Sequence, residues 1–153
     1  MGEERLAAEG AEGAEGAEMN GLRSEPDEGL NRLTEMVIGA AMEVHRELGP
    51  GLLETFYEQA LCVELAAQGI AFSRQVGVRV FYKGTPIGES RMDIVVAESL
   101  LLELKASDGH SPLHMAQVLS YLKTSRLPLG LLINFNVPVL RRGIRRVVRT
   151  RSP

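Results

Sequence analysis

Tryptophan is absent from this chain of 153 residues, and only three tyrosines and four phenylalanines are present. Any core must therefore be built mainly from aliphatic side chains. A single cysteine, Cys62, excludes an intramolecular disulfide. Set among Leu61, Val63 and Leu65 in a helical pattern, it reads as a small buried hydrophobe. No apolar run is long enough to span a membrane, and the N-terminus has no hydrophobic signal region, so the cytoplasm is the expected location. Equally missing are a Gly-rich phosphate loop of the Walker type, a CxxC pair and a credible Ser/His/Asp arrangement. Lys83-Gly84-Thr85 is a turn and not a nucleotide signature.

What is present suffices for one domain with a real core, since 44% of the residues are hydrophobic. The net charge of −3 conceals a split. Residues 1–28 hold nine acidic side chains against two arginines, a net of −7, which leaves +4 for the remainder. Six arginines crowd the far end: Arg141, Arg142, Arg145, Arg146, Arg149 and Arg151. They form either a phosphate-contacting patch or a solvated terminal strand and tail.

Glycine recurs in an Ala-Glu-Gly repeat between Ala8 and Glu18, which undermines a stable helix and predicts a disordered acidic leader over residues 1–28. A solubilising tail is the plain reading of it; mimicry of nucleic acid over a basic groove is the sharper one. A folded domain is expected over residues 29–150. From Asn31, apolar residues at Leu33, Val37, Ala40, Ala41, Val44 and Leu48 follow helical spacing. Gly49-Pro50-Gly51 ends that helix, and a second is expected from Leu52 to Gln68, stopped by Gly69. Strands are predicted at 72–82, 86–96 and 100–106. Ser111-Pro112 opens a helix to Lys123, followed by a buried strand at 129–135 and an edge strand at 144–149. The pattern gives an α/β chain with α+β-like order and a single mixed sheet.

The richest stretch is Arg91 to Ala106. Two apolar strands flank a turn at residues 97–99, and Asp93 and Glu103 are equidistant from Glu98, so they oppose each other. With side chains alternating, Asp93, Glu103 and Lys105 share one face while Ile94, Val96, Leu102 and Leu104 share the other. Unpaired charge on a mostly buried hairpin is costly. A hard divalent cation held by Asp93 and Glu103 beside Lys105 would compensate it. The plain alternative is a cross-strand salt bridge between Asp93 and Lys105.

This D-x9-E-x-K hairpin looks like the core of the PD-(D/E)XK nuclease superfamily. Gly51-Leu-Leu-Glu-Thr-Phe-Tyr57 and the segment from Ile38 before it resemble the GxxExxY protein family, which is assigned to that superfamily. Gln117-Val-Leu-Ser-Tyr121 matches the QxxxY motif of its exonuclease-like branches. The resemblance covers roughly residues 32–149. It implies a restriction-endonuclease-like αβββαβ core, a mixed sheet flanked by helices, with an extra N-terminal helix.

It also implies a Mg²⁺- or Mn²⁺-dependent hydrolysis of phosphodiester bonds in DNA, in repair, recombination or defence. Asp93 and Glu103 would hold the metal, with the Leu104 carbonyl as a third donor. Lys105 would orient the nucleophile and stabilise charge on the phosphate, since a lysine flanked by carboxylates is favoured as a cation. By resemblance, Glu54 completes the metal site; its plain role is to complement the helix dipole at N3 with Gly51 as N-cap. Tyr57, one turn later, either bonds a metal ligand or phosphate or merely packs. Gln117 and Tyr121 would position a phosphate or base, and Arg91 would pair with a carboxylate or the scissile phosphate. His114 reads as a helix-surface residue and His45 as a supporting or structural one. Two rival readings stand: a catalytically silent module that binds nucleic acid or a protein partner, and a metal-dependent hydrolase with another substrate. A homodimer or protein partner would supply target choice.

Overall fold

A computed structural model of the protein describes residues 26–149. The expected acidic leader lies, apart from its last three residues, outside the described residues, as does Arg151. Helix α1 spans Glu28–Leu48. It begins where Asp27 Oδ1 accepts the Leu30 amide at 2.8 Å, three residues ahead of the expected start, so the leader's end already belongs to the fold. Its apolar stripe, Val37, Ala40, Ala41 and Val44, is buried. Gly49, at φ +68°, turns the chain out of the helix.

Helix α2 spans Glu54–Ala67, two residues shorter at its start than expected. Leu53, not Gly51, occupies the N-cap and offers no side-chain bond, so Glu54 is the first helical residue rather than the third. The turn is pinned from elsewhere. The Tyr57 hydroxyl donates to the Gly49 carbonyl at 2.5 Å and accepts the Leu52 amide at 3.1 Å.

Strands β1 (Phe72–Tyr82) and β2 (Thr85–Val96) form a long antiparallel hairpin. Its turn places Lys83 and Gly84 at φ +48° and +80°, the left-handed pair that matches strand twist. Strand β3 (Leu100–Lys105) returns antiparallel to β2 after Ala97 and Glu98, both left-handed. Helix α3 (Pro112–Ser125) is capped by Ser111, whose Oγ accepts the Leu113 amide. It crosses back so that β4 (Leu129–Asn134) lies parallel to β3. After a short 3₁₀ turn at Leu140–Gly143, which the sequence pattern does not predict, β5 (Ile144–Val148) closes the sheet antiparallel to β4.

The sheet order is β1-β2-β3-β4-β5, one mixed sheet with helices on both faces. Beneath α1 and α2 lie Ile94, Val96, Leu100, Leu102, Leu104, Leu129, Leu131 and Ile133. Val95, Leu101, Leu132 and Val147 meet Val118, Tyr121 and Leu122 of α3 on the other. Each fully buried Leu or Ile contributes about 1.5–3 kcal/mol, so this aliphatic two-sided core is the main source of stability. Gly130 permits the close approach of α3: a Cβ there would lie 2.9 Å from Val118 Cγ1. Cys62 is buried as expected, and burial pushes its thiol pKa up.

Candidate metal centre

The β2–β3 ladder runs through Val96–Leu100, Val95–Leu101 and Ile94–Leu102, then stops. The next pair in that register is Asp93 and Glu103, which agrees with a turn centred on Glu98. Here side chains replace the ladder. The Asp93 amide donates to Glu103 Oε1 at 2.9 Å, and the Leu104 amide donates to Asp93 Oδ2 at 2.8 Å. The carboxylates are thus crossed over one another in the fork between two strands. The second oxygen of each, Asp93 Oδ1 and Glu103 Oε2, takes neither bond.

Burial is what makes this fork unusual. Glu103 is 3% exposed and Asp93 half-buried. Desolvation, and then the charge of Asp93, push the Glu103 carboxyl up to about 8, against the smaller opposing pull of the Asp93 amide and Lys105. Asp93 is also raised, chiefly by desolvation, with Glu58 and Glu54 adding to the shift and the Leu104 amide and Lys105 opposing it. Two carboxylates that resist ionising together have the donor chemistry of a hard divalent cation, which takes oxygen ligands and would neutralise both. The residues present fit such an ion, with Asp93 and Glu103 to hold it.

The expected partners of this pair divide. Lys105 is half-buried at the end of β3, near enough for its charge to favour the ionised form of both carboxylates. Glu54 is exposed at the start of α2; its charge reaches both carboxylates. Yet among the described residues no three His, Cys, Asp or Glu side chains are gathered as a metal-holding group. The structure therefore brings Asp93 and Glu103 together, with Glu54 near enough for its charge to act on both but not gathered with them as a third metal-holding group.

Residues expected to touch substrate are placed as follows. Tyr57 is fully buried, stacked on Phe135 with ring centroids 4.5 Å apart, and its hydroxyl serves the α1–α2 turn. That placement assigns it to the core in place of a metal or phosphate contact. Gln117 Nε2 donates to the Tyr121 hydroxyl at 3.2 Å, and that hydroxyl meets Ser90 Oγ at 2.6 Å, so the pair ties α3 to β2. Arg91 is exposed and donates to the Gln75 carbonyl at 3.0 Å, with Glu89 at 4.0 Å; neither partner is Asp93. His45 bonds the Val137 carbonyl at 2.8 Å and is structural, while His114 is half-buried.

Two further residues belong to the surroundings of the fork and escape sequence reasoning. Glu58, one turn after Glu54, is 8% exposed and carries Arg74 and Gln75 on its carboxylate. Asn134, fully buried, pairs with Lys105 in the β3–β4 ladder. Its side chain accepts the Ser107 and Asn136 amides and donates to the Ser107 and Gly109 carbonyls, which fixes the loop that leaves Lys105. A polar residue closing an apolar strand run is the only sequence signal for it.

A five-stranded mixed sheet with helices on both faces and a carboxylate fork at its β2–β3 splay is an α+β, restriction-endonuclease-like fold. The family model of the PD-(D/E)XK nuclease superfamily matches residues 31–147. The chain belongs to that superfamily. Searches of curated proteins and of solved structures return no match. Membership makes this a nuclease-like domain, implies nucleic acid as its partner and brings the superfamily's general use of divalent metal ions. Among the described residues no helix is long and apolar enough to cross a membrane.

Proposed function

We infer that the protein is a Mg²⁺- or Mn²⁺-dependent nuclease that hydrolyses phosphodiester bonds in DNA, in repair, recombination or defence in the cytoplasm. One observation carries the reading: the crossed Asp93–Glu103 pair, half-buried and buried in turn, whose carboxyls are held above their ordinary range. A divalent cation would, when bound, supply charge neutralisation at the phosphate and activation of the attacking water. The chain's own residues do the rest. Asp93 and Glu103 would hold the ion, and Glu54, at the start of α2, adds negative charge near it. Lys105, beside them on β3, orients the nucleophile and stabilises charge developing on the phosphate. Gln117 of α3 and the exposed Arg91 of β2 contact the nucleic acid, while Tyr121, buried with its hydroxyl on Ser90 and Gln117, holds α3 against β2. The Gly51-to-Tyr57 pattern supports placement in the GxxExxY family. A partner or a second copy of the chain supplies target choice.

A second reading, a nuclease-fold module that binds nucleic acid or protein without cutting it, has one observation in its favour. Glu54 is not gathered with the two carboxylates, so the donor set is small for catalysis. Labelled single-stranded, linear duplex and circular DNA, incubated with Mg²⁺ or Mn²⁺ and with chelator, separates the two. The nuclease reading expects metal-dependent cutting that disappears in Asp93→Ala. A folded wild type that binds DNA but cuts none of the three, with either metal, moves the assignment to the binding module.

A further inference from the structure

Gln75 is the residue of β1 opposite Asp93 in register, and that one pair is missing from the β1–β2 ladder, whose register itself shifts only between Val80 and Phe81. Arg74 pairs with Ile94 and Val76 with Met92, while the position between them is left out. Gln75 has φ +50°, in the left-handed region that a strand glutamine rarely adopts. Such outliers persist only where their surroundings over-determine them.

Here they do. Gln75 Nε2 donates to both oxygens of Glu58, at 3.0 and 3.1 Å. Arg74 reaches the same carboxylate through Nε at 3.1 Å and Nη2 at 3.0 Å. From the other side, Arg91 Nη1 donates to the Gln75 carbonyl at 3.0 Å. A nearly buried carboxylate holding an amide and a guanidinium is a rigid anchor.

The consequence falls on Asp93, which has a ladder break on each side, at Gln75 and at Glu103. Strand alternation also slips there: Met92 and Val95 pack with the α3 side, Ile94 and Val96 with the α1–α2 side. Outside a regular ladder, Asp93 is able to aim its amide at Glu103 and its carboxylate at Leu104.

We propose that Glu58 and Gln75 are positioning residues: their clamp holds the left-handed break in β1 that directs Asp93 into the fork with Glu103. This rests on the metal-site reading of that fork. Neither residue touches the ion; they set the spacing of the pair that does. Partners that orient metal ligands typically govern affinity by about 10–100-fold.

The test is Mn²⁺ titration by calorimetry, with Tm recorded for each protein, on the full chain and five variants. Wild type binds, and Asp93→Ala abolishes binding. Gln75→Val, whose branched Cβ opposes a left-handed backbone, loses about tenfold or more in affinity with Tm unchanged or raised. Gln75→Gly, which keeps that backbone accessible, regains most of it. Glu58→Gln, still an acceptor for Gln75, binds better than Glu58→Ala. If Gln75→Val and Glu58→Ala bind like wild type while Asp93→Ala does not, the positioning role is overturned and the metal site stands. Affinity that falls only in step with Tm across the variants also overturns it, since the clamp is then purely structural. Binding that is absent from wild type or indifferent to Asp93→Ala overturns the metal-site reading and the clamp's role together.

Discussion

With its carboxyl pushed up to about 8, Glu103 keeps a proton in the folded chain where the unfolded chain, near its ordinary 4.5, has lost it. Between those values the folded state binds more protons, so stability falls as pH rises and the loss is complete above the folded pKa. The size is on the order of a few kcal/mol. Thermal unfolding of the metal-free protein from about pH 5 to about pH 9 is expected to show a falling Tm. Glu103→Gln flattens that fall, and Mg²⁺ reverses it in wild type at the alkaline end; a Tm rising over the range contradicts the assignment. Tyr57 makes a different prediction. Tyr57→Phe removes the bonds to Gly49 and Leu52 and costs about 1–3 kcal/mol in chemical unfolding, while Mn²⁺ affinity stays unchanged. An affinity loss there would return Tyr57 to the site. Its hydroxyl's role was not legible because a tyrosine one turn into a helix fits equally a core and a surface; only the path of the Gly49–Leu52 turn decides.

Strands and helices show how far patterning carries. Equal distance of Asp93 and Glu103 from Glu98 is a statement about one turn, and a hairpin's register follows from its turn, so the opposed pair was legible. The faces of Ile94, Val96, Leu102 and Leu104 followed from period two. What escaped reading lies where an element departs from its period. Nothing in Arg74-Gln75-Val76 announces a left-handed strand residue, and Glu58 looks like any solvated helical glutamate until Arg74 and Gln75 meet it. Taking Gly51 as the N-cap misplaced the start of α2, because Tyr57 pins that turn from within the helix. Asn134 acts at this scale too, joining β4 to the loop after β3. Asn134→Leu leaves the Ser107 amide and carbonyl without their partner and is expected to cost about 2–4 kcal/mol, with faster proteolysis between residues 106 and 111. Unchanged cleavage by protease in that loop would deny the residue its role.

Across the whole molecule, charge is divided between an acidic N-terminal stretch, which lies almost entirely outside the described residues, and a mildly basic remainder. Arg141, Arg142 and Arg145 are exposed around the 3₁₀ turn and β5. If they contact phosphate, changing all three to Gln weakens DNA binding for every sequence and lowers the log–log salt slope by up to about 3. An unaltered slope makes that end a solvated surface. The most direct test of the account is single-turnover DNA cleavage by Lys105→Ala beside wild type, with Mn²⁺ occupancy checked in both. The expected variant is folded, holds metal and cuts at least about a hundredfold more slowly, because the group that orients the nucleophile and stabilises charge at the phosphate has been removed while Asp93 and Glu103 remain. Cleavage at the wild-type rate by that variant would contradict it.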